Sequence, residues 1–319
     1  MRQPTRAGVR DAAAKIAAIL PQTPVIIGEI HSVPIAFKAE SLQPIGAFKI
    51  RGAWHRLTAL DAATRDKGVV AFSSGNHAQG VAWAAKRLGI PAVIVMPADA
   101  PRVKLEATLA FGAEVVRYDR ATESREKIAA HLAHARGATL VPSFDDAWII
   151  EGQGSIGIEA MSQAVEMKLP DPAHVIVPCG GGGLAAGIAL ALSDARITTV
   201  EPEGWDDMRR SLEAGWIEGV GDNPPSTACD ALQTPLVSPL TFDVLSRRGV
   251  TGVAVSEAEV REAQRWAART LRLVIEPGGA VALAALLAGK IEPTPGTFVI
   301  LSGGNADPDA YANVLNSKD

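Results

Sequence analysis

The chain has 319 residues, 47% of them hydrophobic and 21% charged, with a formal net charge of −4. That length makes one large domain or two ordinary ones, and the near-neutral balance, scattered basic residues and sparse aromatics exclude a nucleic-acid footprint. Two cysteines, Cys179 and Cys229, show neither metal-ligand spacing nor a disulfide framework, as expected of a cytoplasmic protein in a reducing compartment.

In chain order, the stretch MRQPTRAGVRDAAAKIAAIL comes first. Arg10, Asp11 and Lys15 interrupt its apolar residues, so it predicts an amphipathic helix and no signal peptide. No apolar run approaches the roughly 20 residues of a membrane span, and no membrane partner is expected. From residue 67 short β-rich runs over 69–73, 92–96, 114–118 and 139–142 alternate with helical stretches over 77–89, 102–111 and 123–135. A second set has strands over 175–177, 197–200, 252–255 and 297–301. Alternation of this kind predicts parallel βαβ units. Ser256 and Glu259 form a capping box, followed at helical spacing by Val260, Ala263, Ala267, Leu271 and Val274. The Pro- and Gly-richer stretch over 205–245 predicts a long connection with a local function. The organisation is α/β, in two lobes that each hold a mostly parallel sheet flanked by helices. The smaller lobe takes residues 63–145; residues 1–62 and 146–319 form the larger.

Four segments carry chemistry. The run Pro178-Cys179-Gly180-Gly181-Gly182-Gly183-Leu184 follows a strand and opens a helix. Its backbone N–H groups can turn inward onto a phosphate, although a flexible turn has the same composition. The plain glycine run departs from the G-x-G-x-x-G spacing of nicotinamide sites. In Pro44-Ile45-Gly46-Ala47-Phe48-Lys49-Ile50-Arg51-Gly52-Ala53, Lys49 stands between an aromatic and a β-branched residue. It is either a solvated charge or a partly desolvated amine of lowered pKa, suited to covalent bonding with a carbonyl. Ser73-Ser74-Gly75-Asn76-His77 places hydroxyls, an amide and N–H groups at a helix start, to bind a carboxylate or simply to cap the helix. Leu301-Ser302-Gly303-Gly304-Asn305 is a tight turn in which Ser302 offers one neutral hydrogen bond. All the glycine-rich turns follow strands, whose carboxyl ends form the ligand crevice of open α/β sheets.

Together, in order and spacing, these segments resemble the fold-type II pyridoxal-phosphate enzymes, in their threonine/serine dehydratase and serine racemase branch, from about residue 24 to 305. The resemblance implies a tryptophan synthase beta-like fold, pyridoxal 5'-phosphate as cofactor and a homodimer. It implies that Lys49 bonds the cofactor and moves the substrate α-proton, with Phe48 packed beside the ring. Gly180, Gly181, Gly182, Gly183 and Leu184 would cradle the phosphate, Asn76 bind the phenolic oxygen and Ser302 face the pyridine nitrogen. Ser74 would be the second acid/base, opposite Lys49, and Ser73, Ser74, Asn76 and His77 would hold the substrate carboxylate. Glu201, the Trp205 carbonyl and Asp207 resemble a divalent-metal segment whose hard oxygens suit Mg²⁺, Mn²⁺ or Ca²⁺; a solvated acidic loop is the plain alternative. Arg125 resembles an arginine able to approach a second substrate carboxylate, or is a surface ion pair. The implied reaction is dehydration and deamination of L-threonine or L-serine, with 3-hydroxyaspartate dehydration or serine racemisation as alternatives. Three departures bear on substrate and effector: Ala47 where the family commonly has serine, Cys229 inserted between Ala228 and Asp230, and Pro142-Ser143-Phe144 in place of His-Pro-Asn. With no regulatory domain after the catalytic one, a catabolic role is expected.

Overall fold

The computed structural model describes residues 2–73, 75–100 and 102–317. Among them are ten strands: β1 Val25–Ile30, β2 Val33–Ala39, β3 Val69–Phe72, β4 Ala92–Pro97, β5 Glu114–Tyr118, β6 Thr139–Leu140, β7 His174–Pro178, β8 Arg196–Pro202, β9 Thr251–Val255 and β10 Thr297–Leu301. One sheet has the order β1-β2-β10-β7-β8-β9 and the other β5-β4-β3-β6. Of the pairings between these strands only β1–β2 is antiparallel; the others are parallel. A parallel sheet covered on both faces needs strands that are apolar on both sides. In β7 and β10 every residue is accordingly buried. Val175, Val177, Phe298 and Ile300 enter one core; Ile176, Val299 and Leu301 alternate into the other.

The β1–β2 hairpin has no counterpart in the sequence reading. His31 and Ser32 take its turn at φ 50° and 62°, a left-handed pair usually announced by Asn or Gly. The capping box forms as read: Ser256 and Glu259 bond reciprocally at the start of helix Glu257–Trp266. The helix does not continue to Val274, however. It widens into a π turn over Ala267–Leu271 and stops at Arg272, in the left-handed region, leaving Val274 exposed. One extra residue per turn rotates the apolar stripe off its face. The connection over 205–245 contains two helices of its own, Asp207–Ala214 and Pro239–Arg247.

A buried charge cluster lies beneath the helix Lys49–Thr58. Arg51 forks onto Glu40 (2.7 and 2.9 Å) and Glu159 (2.6 and 2.8 Å), and Lys38 bonds Glu159 at 2.8 Å. The cluster ties the end of β2 to this helix and to the helix Ala147–Glu166. Among the described residues no helix is long and apolar enough to cross a membrane.

Candidate active site

Lys49 is the first residue of its helix. The preceding loop is clipped to the turn after β10: Phe48 N–H donates to Ser302 O (3.1 Å) and Gly304 N–H to Gly46 O (2.8 Å). The Lys49 amine donates to Ser143 O at 2.9 Å and lies 5.2 Å from the centroid of the Phe48 ring. A cavity reaches the side chain, yet protein surrounds it, and this desolvation lowers its pKa from 10.5 to about 8. Of the two readings of this lysine, the desolvated amine is the one the fold produces.

After β7 the chain turns through the glycine run into the helix Gly183–Ala191. Gly182 sits at φ 84°, where a side chain would be strained. Gly180, Gly181, Gly182, Gly183 and Leu184 line a cavity of about 60 Å³. Phe48, Lys49, Asn76 and Ser302 line the same cavity. A larger cavity of about 650 Å³ shares Lys49 and Asn76 and adds Ser73, His77 and Arg125. A cavity lined by both a glycine turn at a helix start and an amine suits a phosphorylated carbonyl compound.

Of the carboxylate set, Asn76 and His77 turn their side chains to protein partners. Ser74 lies outside the described residues. Asn76 does not cap its helix; the cap residue is Gly75, and the Asn76 side chain bonds Glu276 and Asn305 instead. The His77 ring does not offer an N–H to a carboxylate. Its Nε2 faces Val141 O at 2.9 Å and must donate there, so the buried Nδ1 carries a lone pair. Burial and the nearby Lys49 charge push its pKa down to about 3, so the ring stays neutral. Its backbone N–H, at the start of the helix, is what remains for an anion.

Arg125 begins the helix Arg125–Arg136 and stacks over the Phe72 ring at 5.4 Å. Its Nε bonds Glu126 at 2.8 Å. The outer Nη edge makes no hydrogen bond among the described residues. In the acidic segment, Glu201 is buried and accepts from Met208 N–H (3.0 Å) and Arg209 N–H (2.8 Å), closing the start of helix Asp207–Ala214. Asp207 is also buried, with neither oxygen in a well-formed hydrogen bond. Desolvation pushes it up to about 7, although its own N–H and that of Val237 lie close enough to oppose this. Among the described residues no group of three or more His, Cys, Asp or Glu side chains is placed to hold a metal; of the segment's four carboxylates, Asp206 pairs with Arg209.

Sequence reasoning missed Glu276. It stands before the helix Pro277–Leu287, is 2% exposed, and lines the small cavity. Burial raises its carboxyl to about 7; Lys104 and the bond from Asn76 oppose this, and Asp230 adds to it. The one local signal is a glutamate followed by a proline at a helix start.

A lysine amine on one cavity with a phosphate-type glycine turn, beyond the carboxyl ends of parallel strands, fits an enzyme built around a covalently held, phosphorylated cofactor. The chain belongs to the pyridoxal-phosphate dependent enzyme family, whose profile matches residues 19–303. It is 37% identical to the L-threo-3-hydroxyaspartate ammonia-lyase of Saccharomyces cerevisiae, over 99% of this chain and 98% of that one. It is 35% identical to the serine racemase of Schizosaccharomyces pombe, over 98% of each. A crystal structure of threonine deaminase (from T.th.) superposes with a TM-score of 0.88 at 39% identity, covering 95% of this chain and 99% of that one. The α/β architecture with helix-flanked parallel sheets is that of these fold-type II enzymes.

Proposed function

We propose that the chain is an ammonia-lyase that removes water, then ammonia, from a small hydroxyamino acid to give a 2-oxo acid. The observation that carries this reading is the half-buried Lys49 amine on one cavity with the glycine turn and the neutral hydroxyl of Ser302. Pyridoxal 5'-phosphate, when bound, supplies the electron sink that makes a substrate α-proton removable. The N–H groups of residues 180–183 would hold its phosphate, Phe48 would lie beside its ring and Asn76 would donate to its phenolic oxygen. Lys49 takes the α-proton on Nζ, for which a pKa near 8 leaves a useful neutral fraction. Ser302 would offer the ring nitrogen a neutral partner, which suits elimination of the β-hydroxyl. Residues 63–145 serve as the substrate lobe. The test is 2-oxo acid release from L-threonine, L-serine and threo-3-hydroxyaspartate by the chain supplied with pyridoxal phosphate. Inversion of serine with no oxo acid from any of the three would replace the lyase reading with a racemase.

The free edge of Arg125 in the larger cavity favours threo-3-hydroxyaspartate, whose second carboxylate it can take in a fork. Hydrogen bonds between charged groups are worth roughly 1.5–3 kcal/mol. Arg125→Ala should therefore lower kcat/KM for hydroxyaspartate about 10- to 100-fold and leave L-threonine unchanged. An equal fall for both substrates would discard the dicarboxylate assignment.

The orphaned oxygens of Asp207 beside Glu201 support a divalent cation there, Mg²⁺, Mn²⁺ or Ca²⁺, with the Trp205 carbonyl as a third ligand. The cation would be structural, locking the start of the helix Asp207–Ala214. A cation at a hundredfold its Kd adds about 2.7 kcal/mol, so chelation should lower Tm by about 5 °C and Mg²⁺ should restore it. Asp207→Asn should abolish that response. A wild-type Tm indifferent to chelator removes the cation from the account.

A further inference from the structure

The Asn76 side chain is 6% exposed and bonded at both ends of its amide. Its Nδ2 donates to Glu276 Oε1, and its Oδ1 accepts from Asn305 Nδ2 at 2.8 Å. Asn305 Nδ2 also donates to Ile45 O at 2.9 Å. These bonds fix which way the amide points. A backbone carbonyl can only accept, so the nitrogen of Asn305 must face Ile45. The second N–H of that nitrogen then meets the oxygen of Asn76, which turns the Asn76 nitrogen toward Glu276. One N–H of Asn76 is thereby used on Glu276. The other is unengaged among the described residues, on a side chain that lines the Lys49 cavity.

The chain is built to hold this relay. Its partners are 200, 229 and 260 residues apart in sequence. They meet because Glu276 N–H donates to Gly303 O (3.0 Å) and Gly304 N–H to Gly46 O (2.8 Å). A Cβ at Gly303 would overlap Glu276 Oε1 and lie 3.2 Å from Asn76 Nδ2, so only glycine leaves room for the pair. Glu276 Oε2 is buried without a partner. The charged groups facing this carboxyl are Lys104, from the helix Arg102–Ala110, and Asp230, which pair with each other.

We propose that Glu276 and Asn305 are positioning residues that hold the Asn76 amide with an N–H, and not its oxygen, turned into the Lys49 cavity. The inference rests on the cofactor reading of that cavity and adds the orientation of its polar contact. An N–H there strengthens the hold on an anionic or carbonyl oxygen; a flipped amide presents an oxygen and repels it. The raised pKa of Glu276 adds a second consequence: its ionisation near neutral pH strengthens its grip on Asn76.

The experiment uses the purified chain stripped of pyridoxal phosphate and titrated back with it. Three quantities are read: the cofactor dissociation constant, the pH profile of the visible absorption band, and Tm. Asn305→Ala and Glu276→Leu each free the amide and should weaken cofactor binding about tenfold, the worth of one hydrogen bond to a charged group. Glu276→Gln keeps an acceptor for Asn76 but cannot ionise. It should bind the cofactor like the wild type while the band loses its dependence on pH around 7. Wild-type affinity and a wild-type band profile in all three, with only Tm lowered, would reduce Glu276 and Asn305 to packing residues. If Asn305→Ala does not fold, the band profile of Glu276→Gln decides by itself. A wild-type chain that takes up no pyridoxal phosphate defeats the cofactor reading as well.

Discussion

Lys49→Ala should abolish oxo-acid release from every hydroxyamino acid, by roughly a thousandfold or more. Among the described residues the side chain is the one amine on the small cavity that holds the glycine turn, and its hydrogen bond there is to Ser143 O, so its loss should leave the fold intact. Lys49→Arg should be equally inactive, because a guanidinium stays charged and cannot act as a base. The same amine gives a pH signature before any substrate is added. Desolvation holds its pKa at about 8 instead of 10.5. Below that value the ammonium predominates and cannot attack a carbonyl; above it the neutral amine does. About one amine in ten is then neutral at pH 7 and nearly all at pH 9. Uptake of pyridoxal phosphate by the stripped chain should thus speed up roughly tenfold between those limits and level off beyond. A rate that is flat from pH 7 to 9 would place the reacting amine elsewhere.

Local composition reveals a good part of this site. The glycine run, the serine-glycine-asparagine segment and the strands over 175–177 and 297–301 announce themselves through residue type and period, and all of them end on the same cavities. In sequence Lys49 stays open between two readings, because desolvation depends on what the rest of the chain packs around it. His77 shows the limit more sharply. Its neighbours in sequence read as carboxylate binders, but its ring nitrogen is engaged by a carbonyl 64 residues further on. Glu276 is invisible for the same reason: its partners are Asn76 and Gly303, and nothing adjacent to it marks burial. The hairpin at His31 and Ser32 escapes because left-handed turns are recognised by glycine or asparagine, and this one has neither. Local periods survive into the structure; identities that depend on long-range pairing do not appear until the chain is folded.

Arg51→Leu should cost about 3–5 kcal/mol of stability, the range for removing one partner from a buried ion pair. Burial alone would lower the pKa of Arg51, but Glu40 and Glu159 more than offset it, so it is held charged. Its five donors are all used: two on Glu40, two on Glu159 and one on Ser155 at 3.1 Å. Lys38 cannot take over, because one ammonium would then face two carboxylates, and it already bonds Thr23 O, Glu159 and Gln163. The wild-type Glu159 carboxyl shows the linkage. Burial would raise its pKa, yet its bonds to Arg51 hold it below the usual value. A depressed carboxylate contributes stability above its unfolded pKa and loses it as pH falls through the folded one. Without Arg51 the sign reverses: Glu159 favours its protonated form, and the deficit of the variant should be larger at pH 8 than at pH 5. Denaturant midpoints for wild type and variant at the two pH values measure this directly. Arg51→Lys should recover only part of the loss, since a point charge cannot fork onto two carboxylates at once. A deficit independent of pH would mean that Arg51 acts by filling volume under the Lys49 helix and not by neutralising the two glutamates.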